Sequence, residues 1–104
     1  MSTEQEQFEK IVLSFEHAEL GSMFGKACGK LHKKAFVAFF QEEMVFKLGR
    51  EELKPYLEKY MGAQNWDPSG KKRPMKDWIQ VPAEFKEDWP KLAQEAKESL
   101  EKSL

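Results

Sequence analysis

Along the chain, the apolar pattern is densest from Ala35 to Leu48, AFVAFFQEEMVFKL. Apolar side chains occupy both parities from Ala35 to Phe40, so a strand there has two greasy faces and needs cover on both. Met44, Phe46 and Leu48 then alternate with Val45 and Lys47, and Gln41-Glu42-Glu43 leaves room only for a tight reversal. The spacing predicts an antiparallel hairpin whose first arm is a central strand. Ahead of it, Phe8, Ile11, Val12 and Phe15 keep helical spacing after a Thr3/Glu6 capping box, and that helix is expected to fade near Glu19 to Ser22, with Gly21 as its exit. MFGKACGKL, from Met23 to Leu31, reads as a first strand whose glycines mark where another element crosses closely.

Beyond the hairpin, Gly49 releases the chain into REELKPYLEKYMG, a short helix with Leu53, Leu57 and Tyr60 on one face and Gly62 as its stop; with Pro55 in it, the helix either starts near Leu53 or Lys54 or is kinked there. Asp67-Pro68-Ser69-Gly70 has the chemistry of a type I turn joining a short strand that ends at Trp66 to a second, Met75 to Val81. Neither face of this second strand is cleanly apolar, which predicts a partly covered sheet edge. Pro82 ends it, Ala83 to Glu87 form a separate turn, and Trp89, Leu92, Ala93, Ala96 and Leu100 stripe a final helix. The order is α-β-β-β-α-β-β-α over a single domain, residues 1–104. Its fold class is α+β, with a five-stranded, mainly antiparallel sheet packed by helices.

Composition narrows the classes. A chain of 104 residues holds one core, and 40% hydrophobic with 34% charged residues describes a globular chain rather than a disordered one. No apolar run approaches the ~20 residues a membrane helix needs, and the acidic start MSTEQEQFEK is unlike a signal peptide. With Cys28 alone no internal disulfide can form, so a cytoplasmic, reducing setting is expected. The net charge of −1 conceals an uneven distribution. Residues 1–19 carry five Glu against Lys10, whereas residues 20–50 carry Lys26, Lys30, Lys33, Lys34, Lys47 and Arg50 against Glu42 and Glu43.

Candidate chemistry is sparse. His17, Cys28 and His32 sit on separate elements without ligand-pair spacing, so no metal and no cofactor are expected. Lys26 and Lys30 share the strand face of Cys28, a common arrangement and no mark of a catalytic thiolate. The glycines around Lys26 lack any phosphate-loop spacing. Asp67 and Asp77 flank a basic loop, yet no nucleophile–base pair can be assigned, so a noncatalytic chain is expected. That loop is the most individual feature: Lys71, Lys72 and Arg73, followed by Lys76, lie between Trp66 and Trp78. Cations interleaved with aromatics can hold a single-stranded nucleic acid by phosphate contact and stacking; the alternative is a solvated turn beside two core tryptophans.

The residues from Met23 to Leu100 resemble the TfoX/Sxy N-terminal domain family. The resemblance rests on Met23-Phe24-Gly25, Ala35-Phe36 opening a hairpin, Val45-Phe46-Lys47-Leu48, Arg73-Pro74-Met75-Lys76-Asp77-Trp78 with Val81-Pro82, and the Trp89 to Ala96 helix. His32-Lys33-Lys34 stands where relatives commonly have a Gly-containing turn. The resemblance implies an α-β(3)-α-β(2)-α fold and a noncatalytic regulatory role, tied to natural competence in longer members that carry a further C-terminal domain. This chain is expected to be the stand-alone N-terminal type. Its expected partner is another protein or a second copy of itself, with nucleic acid as the alternative and no membrane.

Overall fold

The computed structural model describes residues 3–23, 25–67 and 74–103. Helix α1 (Thr3–Leu13) leads into strands β1 (Glu19–Met23), β2 (Lys26–Leu31), β3 (Lys34–Phe40) and β4 (Glu43–Lys47). The short α2 (Lys54–Lys59), β5 (Gln64–Trp66), β6 (Met75–Val81), a 3-10 turn (Ala83–Asp88) and α3 (Trp89–Ser103) follow. The sheet has six strands in the order β1-β2-β3-β4-β6-β5, with every pairing antiparallel. The architecture is α+β as expected, with one strand more.

The additional strand comes from the segment expected to be a fading helix. Helix α1 stops at Leu13, and Glu19–Met23 pairs with Lys26–Leu31 in unbroken register. Gly25 at φ +74° separates the two arms, so Met23 to Leu31 is a hairpin corner and not one strand. Gly21 lies within β1 and is no helix exit. The second correction concerns β6. It lies between β4 and β5, inside the sheet, and Trp78 to Val81 are all buried; the edges are β1 and β5.

The predicted central hairpin is present. Val37 to Phe40 pair with Phe46 to Glu43 around Gln41 and Glu42, whose φ values of +53° and +64° make a two-residue reversal of the hand that matches strand twist. His32 and Lys33 (φ +53° and +67°) close β2 onto β3 in the same way. A glycine would be the easier occupant of such a turn, because a side chain there crowds the following carbonyl.

All helices lie on one face of the sheet. The main core joins Phe8, Ile11 and Val12 of α1 to Phe36, Val37 and Phe39, Met44 and Phe46, Ile79 and Val81, and Trp89, Leu92, Ala93, Ala96 and Leu100 of α3. Each such Val, Leu, Ile or Phe contributes about 1.5–3 kcal/mol on burial. Phe36 and Val37 are sequence neighbours yet both join this core. A register shift opposite Gly29 and Lys30 marks a bulge that turns both inward, which accounts for the double-parity pattern of Ala35–Phe40. The glycine reading of a close crossing holds at Gly29: a Cβ there would sit 2.7 Å from Val12 Cγ2 and 2.8 Å from Val37 Cγ2, so α1 passes directly over β2.

Two tyrosines tie α2 to the last helical segment. Tyr56 Oη donates to Glu95, 2.8 Å from each carboxylate oxygen, and Tyr60 Oη donates to Asp88 at 3.0 Å. Burial and these carboxylates push both phenols up to about 12. Pro55 sits in the first turn of α2, where a missing N–H costs nothing.

Candidate functional site

The opposite face of the sheet carries a second, smaller core made of Cys28, Ala38, Val45, Trp66 and Trp78, with Met23, Ala35, Phe40 and Met75 packed around it. No helix residue belongs to it among the described residues. Sheet register builds this face. Gly21, Cys28, Ala38, Val45, Gln80 and Gln64 align across all six strands, giving a floor of mostly small side chains. Trp66 and Trp78 lie 5.2 Å apart between ring centres, and Phe40 meets Trp66 edge-on at 6.1 Å.

Both tryptophans had a stacking role open to them in the sequence, and the structure corrects it. Trp66 is fully buried and Trp78 is 6% exposed, so neither offers a ring face to a base. Their size and their position on a helix-free face make them the cover for this second core. Lys71, Lys72 and Arg73, together with the expected type I turn from Asp67 to Gly70, lie at least in part outside the described residues, and the three cations lie wholly outside them. Their flanks are placed: Trp66 pairs with Met75 beside the second core. Lys76 is exposed, and its carbonyl accepts from Asn65 Nδ2 at 3.4 Å across the irregular end of β5 and β6.

Three of the cations in the middle of the chain, Lys26, Lys30 and Lys47, lie on this face. Lys26, Cys28 and Lys30 alternate on one face of β2, as expected. Lys26 Nζ stands 5.3 Å above the Phe40 ring, a half-buried cation–aromatic pair. The Lys30 stem runs across Gly21, where a Cβ would meet its Cε at 3.0 Å. Register sets Lys47 opposite Trp78, a position the alternation with Val45 already encoded. Lys33 and Lys34 are exposed at the β2–β3 turn, apart from this group. Two polar residues could not be placed from sequence alone. Gln80 is 2% exposed, and its Nε2 donates to Glu43 Oε1 at 2.6 Å, fixing one carboxylate within the basic rim.

Cys28 is fully buried, and burial pushes its thiol up, with Lys30 opposing only in part, so it stays protonated. His17 is exposed beside Glu16 at 3.5 Å, His32 sits in a turn, and no cluster able to hold a metal occurs among the described residues. Asp77 is exposed where β6 begins, and its carbonyl accepts from the Leu48 and Gly49 N–H groups. On the helical side, a cleft of about 360 Å3 is lined by Leu48, Glu52, Tyr56, Glu95, Glu98, Ser99 and Lys102. Its one hydroxyl nucleophile, Ser99, donates to the Leu48 carbonyl, and Tyr56 is held protonated by Glu95, so the cleft presents acids without a base–nucleophile pair.

No helix among the described residues is long and apolar enough to cross a membrane. Compared with family models, with curated proteins and with solved structures, the chain matches none.

Proposed function

We propose that this chain is a noncatalytic interaction module, of the regulatory kind that its resemblance to TfoX/Sxy N-terminal domains implies, working through the helix-free face of the sheet. The observation that carries this reading is the segregation of the molecule. The helical layer holds the main core and the acidic α1, whereas the other face is a helix-free sheet surface with Lys26 beside a half-buried Phe40 at one end and Lys30 and Lys47 toward the other. A sheet surface that offers a half-buried aromatic ring and cations at both of its ends suits a protein surface that brings carboxylates. A reducing, cytoplasmic setting fits a chain with one buried thiol.

Nucleic acid is the second reading. It draws on the same lysines, joined by Lys71, Lys72 and Arg73, whose flanking strands end beside this face. It ranks lower because both tryptophans are buried and Glu19 and Glu43 interrupt the basic rim.

The test is a photo-crosslinking residue at Phe40 and, separately, at the exposed Gln94 of α3, each in the whole chain in extract of its own cell. The reading expects a discrete protein adduct from position 40 that nuclease leaves intact and that Lys26→Glu/Lys30→Glu removes. Nuclease-sensitive adducts, with salt-dependent anisotropy of labelled oligonucleotides, would promote the second reading. Adducts from position 94 alone would overturn both.

A further inference from the structure

We propose that β1 is a self-pairing edge, through which two copies of this chain join their sheets antiparallel about a two-fold axis at Gly21. The two edges of the sheet are unlike. Strand β5 has three residues and a register shift, features that blunt an edge against further pairing. Strand β1 has five residues in unbroken register, no proline and no lysine, and no described element covers its outer side. Its one charge, Glu19, is at the end.

The chemistry around β1 fits a second copy. Leu20 is 42% exposed and Leu13 is 61% exposed at the end of the helix that packs on β1; among the described residues they are two of the three large apolar side chains left so open. Antiparallel pairing centred on Gly21 sets Leu20 opposite Ser22 of the second copy and brings the two Leu20 side chains onto one face as diagonal neighbours. On the other face Glu19 meets Met23 of the second copy, whose own sheet neighbour is Lys26. The two Glu19 carboxylates fall four residues apart along the ladder, about 13 Å, so like charges do not meet. Gly21 faces Gly21, so neither copy brings a side chain to the centre of the seam.

The pairing is separable from the reading of the helix-free face, because Leu20 points to the helical side of β1 and the lysines do not. Sedimentation equilibrium of the whole chain, from about 10 μM to about 1 mM, is expected to show a dimer. Leu20→Lys/Ser22→Lys, at two exposed positions, is expected to give a monomer with unchanged circular dichroism and Tm. Under mild oxidation, Gly21→Cys is expected to crosslink copy to copy, since directly opposed Cβ atoms are close enough for a disulfide, and Glu19→Cys is not. A parent chain monomeric across that range, a Leu20→Lys/Ser22→Lys dimer, or crosslinking of Glu19→Cys in place of Gly21→Cys would each overturn the proposal.

Discussion

The two faces of this sheet are made from the same strands, often from adjacent residues, and yet they are built on different terms. In β4, Phe46 goes under α3 into a core that every helix helps to close, while its neighbour Val45 goes to the other side, where two tryptophans and a fringe of half-buried apolar residues close a much smaller core. Helices cover most of one face and draw their apolar stripes into its core. The other face keeps its central residues dry with its own side chains, so its rim of lysines and Phe40 remains available. If the proposed contact lies on that face, the surface can change without unmaking the fold.

The comparison is tested most severely within β4. Phe46→Ala is expected to lower the unfolding free energy by about 3–5 kcal/mol, through lost burial and the cavity left under α3. Val45→Ala, one residue away, is expected to cost roughly 2 kcal/mol for its two methyl groups. Urea unfolding of both variants reads the difference, and equal costs would mean that the faces share one core.

Next in size is Gly29→Ala. Two valine methyl groups stand inside 3 Å of the added carbon, and both belong to stiff, buried side chains. Overpacking of about 1–3 kcal/mol is expected, read as a lower urea midpoint. The same substitution at Gly21 meets only the flexible Lys30 stem and is expected to be milder.

Alkaline pH probes the helical side through its two tyrosines. The folded phenols of Tyr56 and Tyr60 titrate near 12 against an ordinary 10, so the unfolded chain gives up these protons first. Their contribution is whole below pH 10 and is lost as pH rises through 12. Tyr56→Phe/Tyr60→Phe is expected to lose roughly 1–3 kcal/mol near neutrality, and to show a flatter decline between pH 10 and 12 than the parent. Thermal melts across that range check the slope.

Much of this division was readable in the order of residues, where the cause is local. Pro55, Pro82, the α3 stripe, the Gln41–Glu42 reversal and the crossing at Gly29 follow from spacing, from ring constraints and from missing side chains. What was not readable depends on distant partners. Glu19–Met23 has weak strand character and becomes β1 because β2 offers it a ladder. The register of β6 looked like an edge because nothing local says that β4 and β5 come to flank it. The bulge at Phe36–Val37 and the burial of Trp66 and Trp78 likewise exist only once strands are paired. The basic rim was half legible: the alternation of Lys26, Cys28 and Lys30 showed a shared face, but not that helices would leave this face uncovered.

The smallest expected effect on stability belongs to the lysines of the helix-free face. Lys26→Glu/Lys30→Glu changes two partly exposed side chains and is expected to shift stability by no more than about 0.5 kcal/mol. Melting temperature and crosslink yield from position 40, measured on one preparation of this variant, separate contact from stability. An unchanged Tm with the adduct gone is expected if the helix-free face is the contact surface; a full yield of adduct at an unchanged Tm would overturn that assignment.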